Sequence, residues 1–174
     1  NTNKSCFPNK QLTKHLQATS DLNDISNAAI IFIALPSQVI VKNLSVLKPY
    51  FNEHVLLVNL SKGLLADGVT IVESIQKELE IYNVVALKGP SFAVEVMEHA
   101  DTLLTLGYTT SEQYNIINFI LKNTALHIDS TSDIRGVELL SVLKNIYALV
   151  IGVVDAKYNS PNTRFMILTK AFSE

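Results

Sequence analysis

The chain has 174 residues, enough for one large domain or parts of two. Hydrophobic residues make up 48% and charged residues 17%, a composition that supports a buried core and excludes a disordered chain. The formal net charge of −2, without a basic run, argues against nucleic-acid binding and against an anionic membrane surface.

The first predicted element is a strand over residues 28–35, a continuously apolar run that Pro36 ends. Such runs are typical of strands buried on both faces, as in parallel sheets. Ser37 is then predicted to cap a helix whose apolar residues, from Val39 to Tyr50, follow helical spacing.

The same order of strand, turn and helix recurs along the next hundred residues. Further strands are predicted at 55–60, 84–87, 102–106 and 126–128, with helices near 70–80, after 91 and near 111–123. This alternation predicts βαβ units and a doubly wound α/β sheet. Because ligands bind at the carboxyl ends of strands in such sheets, the turns at 61–63 and 88–91 are the expected ligand edge.

The pattern of apolar and polar residues changes after Asp133. Residues 135–157 contain no proline and are apolar nearly all round, which predicts a long helix buried in a second, helical domain. Only ten residues, 145–154, are free of charge, which is too short to cross a bilayer, so a soluble protein is expected. Pro161 ends this helix, and Asn162 is predicted to cap the last one.

Several common sites are missing from the sequence. No two of the six glycines are separated by a single residue, so the G-x-G-x-x-G loop of dinucleotide-binding proteins is not present. The four histidines are scattered and Cys6 is alone, so no metal site is predicted. A single cysteine and no visible signal peptide favour a reducing, cytoplasmic location.

Lys144 is the first candidate for chemistry. On a helix it shares a face with Leu140, Ser141, Ala148 and Ile151, a largely apolar stripe. Burial would lower the pKa of its ammonium and suit it to proton transfer near neutral pH. The spacing alone leaves open a lysine whose stem lies along the apolar surface and whose ammonium reaches solvent.

Two turns supply the other candidates. Lys62, after a buried strand, would lie at the ligand edge, where it could meet a phosphate or a carbonyl oxygen, or could be an ordinary solvated turn residue. Gly89 permits close backbone approach, and Ser91 could cap a helix whose free N–H groups attract an anion. An ordinary N-cap explains Ser91 equally well.

Taken together, these segments resemble one enzyme family. The ordered set is Ala34 to Gln38, Ser61-Lys62-Gly63, Gly89 to Val96, Gly136 to Leu139, Leu143-Lys144-Asn145 and Asn162 to Lys170, with Cys6-Phe7-Pro8 and Ala18 to Asp21 ahead of it. It resembles bacterial NAD(P)-dependent glycerol-3-phosphate dehydrogenase over essentially the whole chain.

The resemblance implies an activity and residue roles. Family members reversibly reduce dihydroxyacetone phosphate to sn-glycerol 3-phosphate with NADH or NADPH, which supplies the glycerol backbone of phospholipids, and they are usually homodimers. By position, Lys144 resembles the general acid and base. Substrate contacts match Lys62, Gly89, Ser91 and Asn145, and cofactor contacts match Lys62 and Ala93.

The resemblance also implies a domain plan. Residues 1–132 would be the C-terminal part of a Rossmann-type NAD(P)-binding domain, and residues 133–174 the start of an all-helical substrate domain. The family's Gly-rich loop would precede residue 1, and a later substrate-binding segment would follow residue 174. The chain alone is therefore expected to show little or no turnover. Leu140 and Ser141 stand where the family usually has small residues.

Two alternatives remain. One is another two-domain NAD(P)-dependent dehydrogenase, such as a ketopantoate reductase or a hydroxyacid dehydrogenase, against which the Gly89 to Ala93 motif and Leu143-Lys144-Asn145 argue. The other is a catalytically inactive remnant of the fold, against which the pair Lys62 and Lys144 argues. Ketoacid substrates would test the first alternative, and titration with glycerol 3-phosphate would test the second.

Overall fold

The computed structural model describes residues 3, 7, 11–158 and 160–173. Five strands and six α-helices follow one another in these residues: β1 Ile30–Ile33, α1 Ser37–Leu47, β2 Leu56–Asn59, α2 Ile71–Leu79, β3 Val84–Lys88, α3 Ala93–Met97, β4 Thr102–Gly107, α4 Ser111–Leu121, β5 Leu126–Thr131, α5 Ile134–Tyr158 and α6 Pro161–Ser173. All five predicted strands are therefore present in the predicted order. Cys6 and Pro8, part of the resemblance, lie outside the described residues.

The strands form one mixed sheet in the order β1-β2-β3-β4-β5. Pairing is parallel from β1 to β3 and between β4 and β5, but β3 and β4 are antiparallel. The connection from Gly89 to Asp101 contains only the short α3 and stays at the carboxyl end of β3. β4 therefore starts at that end and runs antiparallel to β3. The sequence pattern predicted parallel βαβ units throughout and was wrong at this one connection.

Helices cover both faces of the sheet, and side-chain alternation along the strands divides the core into two clusters. One cluster joins the sheet to α1, α2 and the start of α5, and the other joins it to α4. Leu57 and Ala86 belong to the first, whereas Val58 and Leu87 belong to the second. Because successive side chains point to opposite faces, Asn59 and Lys88 are directed toward the α5 face.

Helix starts agree only partly with the sequence predictions. Thr70 and Thr110 each form a capping box, with Glu73 and Gln113 respectively. Ser37 was predicted to cap α1 but is its first residue, after Pro36. Similarly, α6 begins at Pro161, and its first turn donates the Thr163 amide to Ser160 Oγ at 3.4 Å, so Asn162 is not the cap.

The long helix α5 departs most from expectation. Its predicted extent is confirmed, but its predicted burial is wrong, because only Val137 and Glu138 are buried. Leu149 is 71% exposed and Val153 is 59% exposed. A helix that is apolar all round is buried only where other elements pack against every side of it. Among the described residues, such packing occurs mainly at the first turns of α5 and against α6.

By length and composition, α5 is the one helix in the described residues that could cross a membrane. The sequence pattern argued against a span because the charge-free stretch is short, whereas the whole helix has 25 residues. Core helices of soluble proteins meet the same two criteria, so the finding is weak evidence for a span.

The first turns of α5 are fixed against the sheet. Gly107 permits this approach, since a Cβ there would lie 2.9 Å from the Ile134 Cα. Arg135 Nη1 lies 3.5 Å from Glu73 Oε1 on α2, and the Asp133 carboxylate accepts a hydrogen bond from the Gly136 amide at 2.8 Å. The helix therefore leaves the sheet at a defined angle and carries Lys144 over the ends of β2 and β3.

Candidate active site

A cleft of about 630 Å³ lies between the carboxyl ends of β2 and β3 and the inner side of α5, with α6 closing one end. Its walls combine polar groups at the strand ends with an apolar surface from the helices. The lining residues that matter below are Lys62, Lys88, Gly89, Val137, Leu140 and Lys144. This is the edge of the sheet at which the sequence predicted a ligand site.

Three of the six predicted site residues line the cleft. Lys62 and Gly89 enter from the strand ends, and Lys144 enters from the helix. Ser91, Ala93 and Asn145 are exposed and are not among the lining residues. Their assigned roles in substrate and cofactor binding stay predictions.

Lys144 stands on the cleft side of α5 with its side chain largely exposed. Partial burial lowers the pKa of its ammonium, and the nearby positive charge of Lys62 lowers it further. The second cause means that Lys62, 82 positions away by number, lies close enough for its charge to act on Lys144. An ammonium that releases its proton more readily than usual is suited to proton transfer.

The turn that carries Lys62 is held at the preceding residue. The Ser61 amide donates to Asn59 Oδ1 at 3.0 Å, and Ser61 Oγ donates to the Ile33 carbonyl at 3.3 Å. The Ser61 carbonyl accepts a hydrogen bond from Lys88 Nζ. All three polar groups of Ser61 are therefore occupied, and the backbone is fixed just before Lys62.

Lys88 is a cleft residue that the sequence pattern did not single out. It is 5% exposed, although charged side chains are rarely buried without a partner. Burial lowers the pKa of Lys88 from 10.5 to about 8; the Glu138 carboxylate opposes this shift, and the Lys62 ammonium adds to it. The signal was available in strand alternation, which directs residue 88 to the α5 face together with Ala86.

The Lys88 pKa predicts a stability that rises with pH. Between about pH 8 and 10.5 the folded chain releases this proton while the unfolded chain keeps it, so unfolding takes up a proton. The free energy of unfolding should then increase with pH by up to roughly 3 kcal/mol relative to Lys88→Met. Urea unfolding of both proteins at pH 7, 8.5 and 10 measures this difference, and a constant difference would contradict the prediction.

Glu138 connects α5 to this region of the sheet. Its carboxylate, on a residue that is 1% exposed, accepts hydrogen bonds from Asn59 Nδ2 at 2.7 Å and from the Val72 amide at 3.1 Å. Val72 lies in the first turn of α2, where an amide has no partner within its own helix. In the sequence, Glu138 stood out only as part of the Gly136 to Leu139 motif, without a role of its own.

Gly63 completes the Lys62 turn in a backbone conformation that disfavours other residues. Its φ is +135°, and a Cβ at this position would lie 2.7 Å from Ser37 Oγ at the start of α1. Because Ser37 is buried, it has little room to move. The turn is therefore packed on one side against α1 and held on the other by Lys88.

Gly63→Ala is expected to destabilise the chain by about 2–3 kcal/mol, through backbone strain plus the contact with Ser37. Gly68→Ala is the comparison variant, because Gly68 has a positive φ close to the left-handed helical region, +74°, and no atom lies within 4 Å of its Cβ position. Thermal unfolding of both variants is expected to show the larger loss in Gly63→Ala, which has both the less favourable φ and the Ser37 contact. Equal losses would contradict the prediction.

The segment after β3 differs from its predicted form. Gly89 packs closely on β4, because a Cβ there would lie 2.8 Å from the Leu103 carbonyl oxygen. Ser91 was predicted to cap the following helix, but α3 starts at Ala93 with Phe92 at its N-cap and no side-chain cap bond. With only five residues, α3 does not provide the anion site that a longer helix terminus would.

The arrangement brings amines rather than metal ligands to the cleft. Among the residues that the structure describes, no three His, Cys, Asp or Glu side chains come together to hold a metal ion. Lys62 and Lys144 can attract an anion and donate hydrogen bonds, and Lys144 can also exchange a proton. The cleft is therefore suited to a small anionic molecule with an oxygen that gains or loses a proton.

Comparisons with known proteins match the chain to one enzyme family. Residues 1–114 match the NAD-dependent glycerol-3-phosphate dehydrogenase N-terminus, and residues 133–174 match the C-terminus of the same family. Glycerol-3-phosphate dehydrogenase [NAD(P)+] of Saccharophagus degradans is 30% identical over 99% of this chain and 49% of its own, and that of Fusobacterium nucleatum is 30% identical over 99% and 52%.

Solved structures give the same result. The crystal structure of glycerol-3-phosphate dehydrogenase from Coxiella burnetii superposes with a TM-score of 0.84 and 25% identity, over 95% of this chain and 51% of that one. The chain thus spans about half the length of the curated relatives that it matches. Since the N-terminal family model alone covers 114 of the 174 residues, the chain belongs to the NAD-dependent glycerol-3-phosphate dehydrogenase family.

Proposed function

We propose that this chain supplies the substrate-facing part of an NAD(P)-dependent glycerol-3-phosphate dehydrogenase, which interconverts dihydroxyacetone phosphate and sn-glycerol 3-phosphate. The observation that carries the proposal is the shared cleft of Lys62 and Lys144, two amines from separate elements whose charges interact. The family membership and the [NAD(P)+] names of the relatives support the choice of substrate and cofactor.

In this proposal Lys144 is the proton-transfer residue. As the carbonyl carbon gains a hydride, the Lys144 ammonium donates a proton to the carbonyl oxygen, and in the oxidation direction the neutral amine accepts the hydroxyl proton. Lys62 would hold the developing negative charge on the same oxygen or bind the phosphate. Gly89, Ser91 and Asn145 are proposed as further substrate contacts.

The residues present fit the reactive end of a nicotinamide cofactor. Val137, Leu140 and Ile151 give the cleft an apolar wall on α5, the helix that also carries Lys144, and a planar ring could lie on this surface. Lys62 and Ala93 are the proposed cofactor contacts. A bound nicotinamide would supply or take up the hydride. The 174 residues contain no G-x-G-x-x-G loop for its pyrophosphate.

The proposal includes a domain plan, an assembly and a location. Residues 1–132 would belong to the NAD(P)-binding domain and residues 133–174 to the helical substrate domain, which the start of α5 at Ile134 supports. The protein would form a homodimer in the cytoplasm and serve phospholipid precursor synthesis. Exposed apolar residues on α5 and α6, such as Leu149 and Phe165, are available for such association.

Calorimetric titration of the chain with sn-glycerol 3-phosphate tests the proposed site. Saturable binding is expected. Glycerol should bind much more weakly, because it lacks the phosphate charge that the lysine ammonium groups attract. Steady-state turnover of dihydroxyacetone phosphate with NADH or NADPH should be slow or absent in these 174 residues. Failure of glycerol 3-phosphate to bind any better than glycerol would overturn the proposal.

A further inference from the structure

We propose that Lys88 is a positioning residue that, with Asn59 and Glu138, fixes the placement of Lys62 relative to Lys144. The inference deepens the proposed function and relies on it only for the identity of the ligand. The placement itself follows from a continuous set of buried hydrogen bonds under the cleft floor.

The first part of the network controls Lys62. Lys88 Nζ donates to the Ser61 carbonyl, which belongs to the peptide group that joins Ser61 to Lys62. The orientation of that peptide plane sets the direction in which the Lys62 side chain leaves the backbone. Without the donor at residue 88, this carbonyl would have no hydrogen-bond donor among the residues that the structure describes, and the peptide could rotate toward solvent.

The second part controls Lys144. Glu138 lies six positions before Lys144 on the same helix, about 9 Å along the axis. Its carboxylate accepts from Asn59 Nδ2, and Asn59 Oδ1 accepts from the Ser61 amide. One asparagine side chain thus joins the helix that carries Lys144 to the residue that precedes Lys62.

A role in packing alone does not explain why residue 88 is a lysine. An apolar side chain could fill the same space without the cost of burying an amine, and that cost is visible in the lowered pKa. Buried polar groups whose partners are all supplied instead specify one arrangement of the backbone. In the described residues, no buried side-chain nitrogen or oxygen lacks a hydrogen-bond partner, so this network is complete.

The test measures the relation of the two amines without a ligand. The full chain is treated with a short amine-to-amine cross-linker, and the Lys62–Lys144 product is quantified by mass spectrometry well below the unfolding temperature. Lys88→Met should lower its yield by about twofold, because loss of a charged donor shifts a local conformational equilibrium by roughly tenfold, enough to reduce an arrangement populated at about 90% to about half. Lys77→Met, at an exposed position of α2, should leave the yield unchanged.

Lys88→Arg keeps a charged donor and should restore most of the cross-link. A Lys88→Met protein that melts at a lower temperature but cross-links like the wild type would overturn the proposal, since that is the result of packing alone. If Lys88→Met does not fold, Asn59→Val provides the comparison, because it removes both the donor to Glu138 and the acceptor of the Ser61 amide. An unchanged cross-link in that variant would equally overturn the proposal.

Glycerol 3-phosphate titration separates this inference from the proposed function. If both hold, the ligand binds the wild type and binds Lys88→Met about tenfold more weakly. If the wild type does not bind it while the cross-link still depends on residue 88, the positioning role stands and the proposed function fails. Normal binding together with an unchanged cross-link leaves the function standing and rejects the role of Lys88.

Discussion

Replacing Glu138 with leucine is expected to lower the free energy of unfolding by roughly 4 kcal/mol. Leucine is of similar volume but apolar, so the substitution removes both acceptors. Asn59 Nδ2 and the Val72 amide would then be buried donors without partners, and each such group costs about 1–3 kcal/mol. Lys88 would also lose the carboxylate that offsets its burial.

Urea unfolding followed by circular dichroism measures the loss, with Glu78→Leu as control. Glu78 is exposed on α2, so that variant should stay within about 0.5 kcal/mol of the wild type. A loss below about 1 kcal/mol in Glu138→Leu would mean that water or a side-chain rearrangement replaces the carboxylate. The same substitution in a Lys88→Met background should cost less, since no buried amine is then left without its counter-charge.

This network marks the limit of what the sequence predicted. The strands were predictable because continuous runs such as residues 84–87 have few alternatives to a buried strand. Lys88 and Glu138 were not singled out because charged residues are usually solvated, and a single-residue pattern does not show which ones a fold encloses. Only the pairing of β2 with β3 and the crossing of α5 bring Asn59, Glu138 and Lys88 together.

The candidate site was predictable in part for a related reason. Carboxyl ends of neighbouring parallel strands share one edge, so the strand pattern alone was enough to place Lys62 and Gly89 together. Placing Lys144 beside them relied on the resemblance, because helix periodicity gives a face but not the element which that face meets. The reversed direction of β4 was not predictable, since residues 102–106 have the same apolar texture in either orientation.

Helix α5 shows how composition misleads about burial. An apolar surface all round predicts that something covers it, and the described residues cover only its first turns and one side. Partial exposure of α5 is nevertheless consistent with a ligand site. Apolar neighbours on one side of Lys144 would limit its contact with water, and the open side would let a ligand reach its ammonium. On this partly covered helix, burial of part of the Lys144 side chain still lowers the pKa of its ammonium.

Removal of the charge of Lys62 or of Lys144 should weaken glycerol 3-phosphate binding by about tenfold, and removal of both by about a hundredfold, if each ammonium contacts the ligand. Methionine is the replacement of choice, because it retains the apolar stem of lysine and removes only the charge and the donors. The estimate is taken from the lower end of charged hydrogen bonds, because Lys62 and Lys144 are partly open to solvent.

The three variants, Lys62→Met, Lys144→Met and the double variant, are compared by calorimetric titration with Lys157→Met, an exposed residue near the end of α5. Raising NaCl from about 0.05 to 0.5 M should weaken wild-type binding markedly and the double variant little, because salt screens the charges that the double variant lacks. Binding that is equally strong in the double variant would show that the phosphate lies elsewhere. The two amines would then share a cleft without sharing a ligand, and the effect of the Lys62 charge on the pKa of Lys144 would be incidental to any reaction.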